Sequence, residues 1–332
     1  MPKHLLTALA LLLLVPSPAA AGPAAPAAPV VLKVGSLAPR ESPWGQVLRV
    51  WIKAVKERTH GEVELEVYWN ATQGDEPAQM SKLKTGQLDG AVVSAVGLGV
   101  VDPNVNILQV PGLYAGWEQL DRVRDALKPR FDASFRAAGF ELLGWGDIGL
   151  DRLMSKGFPL RGPEDLKGKR PWCWREDPVL FPFFQAAGVV PVPTSVPEAV
   201  TELSTGNINI MSVSALAAEQ LQWSPRLDHL NLMVMAPNIG GVVLSRARLA
   251  ALTPEQRAAV LDTGKVATRA LTERIRKEDA AALERLRKRM TVVESTPAEQ
   301  EAWHRLFLET RARLAKGTFP QALVQEVESL AK

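Results

Sequence analysis

From Val30 onward, short apolar runs change places with stretches in which apolar residues recur every three or four positions. The first run predicts a strand over 30–37, halted by Pro39. Pro43 opens a helix whose inward positions are Trp44, Val47, Leu48, Trp51, Ile52 and Val55. Val63, Leu65 and Val67 alternate with Glu62, Glu64 and Glu66, the pattern of a half-exposed strand. A loop over 70–76 leads to a helix with Met80 and Leu83 inward and Gly86 as its stop. A buried strand is expected over 91–96, and further strands over 140–145, 172–174, 189–192, 208–213 and 230–235. Helices over about 178–187, 197–205 and 215–223 separate the later ones. Such alternation specifies an α/β fold with a parallel or mixed sheet.

Thr253-Pro254-Glu255-Gln256 is a capping box with proline at the first helical position. No proline follows until past Met290, and Val260, Leu261, Ala267, Leu271, Ile275, Leu283 and Leu286 keep a helical stripe. One helix of about 35 residues would run about 50 Å, longer than a small domain is wide, and suits a strut shared by two lobes. Two helices broken near Glu278 and Asp279 are the alternative, since globular helices are usually shorter. A second capping box, Thr296-Pro297-Ala298-Glu299, starts the next helix.

The N-terminus sets the compartment. Residues 1–21 read as a cleavable export signal: Lys3 and His4, eleven mostly apolar residues from Leu5 to Val15, then a small-residue site ending at Ala21. Residues 22–29 form an Ala/Pro linker. The rest of the 332-residue chain is expected to be exported to the periplasm and soluble. Its 39 basic and 36 acidic side chains leave a charge of +3, too small for a nucleic-acid footprint. The one cysteine, Cys173, permits neither an internal disulfide nor a Cys-based zinc site.

Catalytic patterns are sparse. His60, His229 and His304 fit no metal-binding spacing, and no nucleophile elbow or phosphate-binding loop is present. Gly97-Leu98-Gly99 lacks the third glycine of a dinucleotide loop. Cys173 sits between two tryptophans, a setting for an inert thiol. The chain therefore reads as a binder with no cofactor and no metal. An exported hydrolase using Ser94 or Ser212 is the remote alternative.

Several segments, in order, carry a resemblance: Leu32-Lys33-Val34-Gly35, Thr59-His60-Gly61-Glu62, the loop Gly74-Asp75-Glu76, Leu83-Lys84-Thr85-Gly86-Gln87-Leu88-Asp89, and Pro163-Glu164-Asp165-Leu166-Lys167-Gly168. Over nearly the whole mature chain it resembles the DctP-like periplasmic solute-binding component of TRAP transporters. The resemblance implies a two-lobed periplasmic solute-binding fold (type II-like) with a long strut helix and a ligand in the interlobe cleft. It assigns lobe I to 30–147 plus about 237–275. Lobe II takes 148–236 plus about 276–332, with the C-terminal helices. It also implies delivery to the permease subunits of a TRAP-type transporter. A lipid carrier or sensor working with a periplasmic helical-repeat lipoprotein is the alternative.

The chain departs from that family where the ligand is held. The family's carboxylate-binding arginine falls seven positions past Asp165, on Trp172. An earlier arginine is kept, as Arg152. The family's "D-G-x-E-N" run becomes Asn209-Ile210-Met211-Ser212-Val213. The expected ligand-binding residues in lobe I are Leu37, Trp44, Asp75, Glu76, Ser94 and Trp145. Those of lobe II are Arg152, Trp172, Trp174, Met211, Ser212 and Val213. They describe an apolar, aromatic cleft for a hydrophobic or lipid-like ligand, with Arg152 able to take a single carboxylate. In the alternative they fill the cleft themselves and Arg152 pairs with Asp147 or Asp151.

Overall fold

A computed structural model describes residues 28–332. The export signal expected over 1–21 and most of the linker expected over 22–29 lie outside the described residues. No helix among the described residues is long and apolar enough to cross a membrane.

Lobe I is built from β1 (Val30–Ser36), α1 (Pro43–Arg58), β2 (Val63–Tyr68), α2 (Glu76–Lys84), β3 (Gly90–Ser94), α3 (Ala95–Gly99) and α4 (Trp117–Ala137). β1 pairs in parallel with β2 and β3. The strand β4 (Phe140–Ser155) then carries the chain across to lobe II, which contains β5 (Trp172–Trp174), α5 (Leu180–Ala186), β6 (Val192–Thr194), α6 (Val196–Thr205), β7 (Ile210–Ser214), α7 (Ala215–Gln220) and β8 (His229–Asn231). The return crossing is β9 (Ala236–Ser245), followed by α8 (Arg246–Ala250), α9 (Pro254–Arg287), β10 (Thr291–Val293), α10 (Pro297–Gly317) and α11 (Gln321–Leu330). β9 pairs antiparallel with both β3 and β4. The last residues of β4 pair instead with β7 and β8. One sheet thus runs through both lobes, with β4 as its shared member.

Four differences from the sequence reading have identifiable causes. The strand expected over 91–96 stops at Ser94, whose hydroxyl accepts from the amide of Val96 and caps α3. The strand expected over 140–145 runs on to Ser155. Residues 236–245, which carry Gly240-Gly241, are a continuous strand because these glycines lie between two close neighbours: a Cβ on Gly240 would stand 2.5 Å from the Val93 carbonyl oxygen. Finally, α4 has a helical stripe of buried residues, Leu120, Val123, Leu127, Phe131 and Phe135, with Pro129 on its exposed side.

α9 is one unbroken helix of 34 residues, without a break at Asp279. That aspartate is buried and accepts from the amides of Leu150 (3.0 Å) and Leu216 (2.9 Å), so it ties the helix to β4 and α7. The buried stripe of α9 includes Gly264, Thr268, Leu271, Ile275 and Asp279. It lies directly on β4. A Cβ on Gly144 would come within 2.2 Å of Thr268 Oγ1, one on Gly146 within 2.6 Å of Leu271, and one on Gly264 within 2.1 Å of Leu143. Glycines on both elements therefore let strut and crossing strand approach at backbone distance.

The apolar cores follow this plan. Val260, near the start of α9, packs with Leu48 and Trp51 of α1, while Leu271, Ile275 and Leu286 join the lobe II side. The C-terminal helices do not all belong to lobe II as the resemblance implied. Trp303 and Phe307 of α10 pack on Phe183 in lobe II, but Leu314, Leu323, Val324 and Val327 join the lobe I core around Phe131. Gln119 and Arg122 of α4 donate to the carbonyls of Ala331 and Leu330.

Gly144→Ala is expected to lower stability by about 1–3 kcal/mol, the usual cost of overpacking. Thr268→Ala in the same chain should recover part of it. Thermal melts of the two variants and their combination check this, and full additivity would show that the two positions do not touch.

Candidate functional site

Between the lobes lies a cavity enclosing about 1240 Å³ of empty space, open solvent at its mouth included. Lobe I contributes the end of β1 with Leu37, Trp44 of α1, Glu76 at the start of α2, and Ser94 at the β3–α3 junction. Lobe II contributes Trp172 and Trp174 of β5, the start of α5, Ser212 and Val213 of β7, and Trp223. The crossing strands form the floor through Gly146, Asp147, Asp151, Asn238 and Gly240. Four of the nine tryptophans line this one space. Trp172 stands at the centre of the aromatic wall, its ring 6.4 Å from that of Trp174 and 5.6 Å from that of Trp223.

Eight of the twelve residues expected at the site line the cavity: Leu37, Trp44, Glu76 and Ser94 from lobe I, and Trp172, Trp174, Ser212 and Val213 from lobe II. The structure does not bring the other four into its lining, and three of them are engaged elsewhere. On β4, Gly146, Asp147 and Asp151 line the cavity, whereas Trp145 and Arg152 do not. Trp145 packs edge-on against Phe131, 6.0 Å between centroids, inside lobe I. Arg152 donates to the carbonyls of Leu150 (2.9 Å) and Leu232 (3.3 Å) and meets no carboxylate within ion-pair distance among the described residues. On β7, Met211 is fully buried beside the lining residue Ser212.

Asp75, the fourth, works between the lobes. It is the N-cap of α2, and its second carboxylate oxygen accepts from Trp174 Nε1 at 2.9 Å and from the amide of Val196, the first residue of α6, at 3.4 Å. A lobe I carboxylate thus holds two lobe II donors. Trp44, Val47 and Val96 of lobe I accordingly share one apolar cluster with Trp172, Trp174 and Leu216 of lobe II.

The electrostatics of the cavity are one-sided. Among the described residues no lysine, arginine or histidine lines it, whereas Glu76, Asp147, Asp151 and Asp177 do. Only Asp147 has cationic partners: Arg124 Nη1 and Arg276 Nε each approach it at 2.6 Å, and both arginines also bind Asp121. Glu76 is buried and receives the Ser94 amide (2.8 Å), the Ser94 hydroxyl (2.7 Å) and the Gly97 amide (3.0 Å). Desolvation outweighs these bonds and pushes its carboxyl to about 8. Burial also raises Asp151, which receives Asn238, and Asp177, which receives the amides of Val179 and Leu180. The sequence reading did not place Asp147, Asp151, Asp177 or Trp223 at the site.

Burial raises the Cys173 thiol as well, as expected of an unreactive cysteine. Among the described residues no group of histidine, cysteine and carboxylate side chains is arranged to hold a metal ion.

Comparison with known proteins gives a consistent picture. The DctP family, bacterial extracellular solute-binding protein family 7, matches residues 34–316. A solute-binding protein of Chromohalobacter salexigens is 27% identical over 172 residues, 52% of this chain and 51% of that protein, so about half of its length is spanned. One from Verminephrobacter eiseniae is 25% identical over 280 residues, 81% of each chain. Among solved structures, a TRAP periplasmic solute-binding protein of Sulfurospirillum deleyianum with bound succinate superposes with a TM-score of 0.85 at 21% identity, covering 92% of this chain and 100% of that one.

Asp75, Glu76, Asp151, Asp177 and Asp279 are all shifted upward, chiefly by desolvation. Each holds its proton more tightly folded than unfolded, so stability falls as pH rises from the unfolded range near 4 toward about 8, where Glu76 titrates. Glu198 and Asp121, shifted downward, act only at lower pH, as carboxylates that lose stability on protonation. The melting temperature should therefore be higher at pH 5 than at pH 8, and Glu76→Gln should shrink the difference. A melting temperature that climbs from pH 5 to pH 8 would show these carboxyls ionised and well partnered in the fold.

Proposed function

The chain belongs to the DctP family of bacterial extracellular solute-binding proteins, receptors of transport systems and not enzymes, and on that premise we propose that its cleft captures a largely apolar small molecule. The ligand is handed to the permease subunits of a TRAP-type transporter. The observation that supports this reading is the cavity lining: four tryptophans, three carboxyls without a cationic partner, and no cationic side chain. The structural neighbour from Sulfurospirillum deleyianum is described with bound succinate. An acid of that kind entering this cleft would meet no arginine fork, and burying a carboxylate without a partner is costly. At the position where the family resemblance places the arginine, Trp172 offers an indole face. Covering about 200 Å² of apolar ligand surface there gains about 5 kcal/mol.

Closure follows from the same geometry. A ligand lodged between Trp44 of lobe I and Trp172 of lobe II touches both lobes. It therefore favours the closed form by whatever affinity it lacks for the open one. Asp75 adds a ligand-independent contribution through Trp174 and the start of α6.

The test is mass spectrometry of the organic extract of natively purified mature protein, beside an unrelated periplasmic protein prepared identically. A specific apolar molecule near stoichiometry is expected; a small polar acid in its place overturns the proposal. Trp172→Arg should weaken binding of the extracted molecule at least tenfold, the scale of losing one well-packed aromatic contact, and open the cleft to succinate. Calorimetric titration with both compounds reads the two effects.

A further inference from the structure

Two polar atoms of residues that line the cavity have no partner among the described residues. The indole nitrogen of Trp172 and the hydroxyl of Ser212 are buried and make no hydrogen bond, although their residues are only 5% and 2% exposed. Orphaned buried donors are uncommon, because each forfeits the bond it had with water. The indoles of Trp51 and Trp145 are also unpaired, but they face packed cores on either side of lobe I. Trp172 and Ser212 differ in lining one empty space. They are neighbours in the fold as well: the bridge between Pro171 and Ile210 sets the start of β5 beside the start of β7. Other donors of the wall are engaged. Trp44 Nε1 donates to the Asp147 carbonyl at 3.3 Å, Trp174 Nε1 to Asp75, and the Ser94 hydroxyl to Glu76.

The chemistry of these two atoms narrows the ligand. An indole N–H only donates, so whatever meets it must accept. A serine hydroxyl can turn its hydrogen to the same acceptor, and a carbonyl oxygen has two lone pairs to receive both. A carboxylate also accepts, but among the described residues no cationic side chain lines the cavity to offset its charge. An ammonium would suit the carboxyls and the indole faces, yet it has nothing with which to accept from Trp172. Taking as premise the reading of the cleft as a site for a largely apolar molecule, we infer that the ligand carries one uncharged acceptor oxygen of the carbonyl class, received jointly by Trp172 Nε1 and Ser212 Oγ. These two residues then set orientation and specificity, and the rest of the wall supplies apolar burial.

Four probes of one shape separate the possibilities: tert-butylcyclohexane, 4-tert-butylcyclohexanone, 4-tert-butylcyclohexanecarboxylate and 4-tert-butylcyclohexylammonium. Binding to the mature protein is read by equilibrium dialysis. The ketone should bind about tenfold more tightly than the hydrocarbon, the scale of one net hydrogen-bond pair. The carboxylate and the ammonium should bind more weakly than the ketone. Trp172→Phe and Ser212→Ala, each checked for a cooperative melt, should bring the ketone-to-hydrocarbon ratio down toward one. If the ketone and the hydrocarbon bind equally, or neither variant moves their ratio, the two donors are unused and the inference fails while the apolar reading stands. If the carboxylate or the ammonium binds tightest, or none of the four binds, both fail together.

Discussion

The strut α9 lies on β4 with glycines where the two meet, and the rest of the molecule is arranged around that contact. Gly144, Gly146 and Gly264 remove the side chains that would hold strand and helix apart. The same strand pairs with β9 in lobe I and with β7 and β8 in lobe II. Both lobes are therefore anchored to one backbone-to-backbone seam. The seam also borders the cavity: Gly146, Asp147 and Asp151 of β4 and Leu271 of α9 all line it. Volume added at the seam would displace floor and strut together.

Polar groups buried near the seam are treated in two ways. Asp147 is held by Arg124 and Arg276, which in turn share Asp121, and Arg276 lies over the ring of Trp117 at 4.5 Å. Glu76, Asp151 and Asp177 have hydrogen-bond donors but no cation within ion-pair distance. The first arrangement fixes a charge in place, as a buried pair must be well matched to be tolerated. The second favours neutral carboxyls. The result is an acidic wall whose field repels anions at high pH and fades as the carboxyls protonate.

Much of the framework was legible in the sequence because it rests on local rules. The capping box at Thr253 and the proline-free stripe gave α9 nearly its full length, and the loop at Asp75 and the turn at Asp165 carried the family resemblance. What escaped depended on distant partners. The glycines of β9 weaken a strand by local propensity and are tolerated only because β3 and β4 flank them. Asp279 resembles a helix break until the amides of Leu150 and Leu216 are brought to it. At the site, the aromatic residues were found by alignment with the family. The placement of Arg152 and Trp145 outside the cavity lining depends on the distant partners Leu232 and Phe131. Trp223 was missed because it follows a short helix and has no periodic pattern to announce it.

The C-terminal segment gives the two lobes a further mechanical linkage. α10 is anchored on lobe II through Trp303 and Phe307, and α11 on lobe I through Leu323 and Val327, so the chain passes from one body to the other away from the ligand space. Two bodies joined by a single pivot can swing freely about it. Joined also by a strap on another side, they have fewer ways to move, and their opening becomes a guided rotation of limited travel. The crossing lies within α10 itself, between Phe307 on lobe II and Leu314 on lobe I. The permitted arc thus depends on how one continuous helix seats on both lobes, and a change in that seating would alter the throw of the hinge without touching the cavity wall.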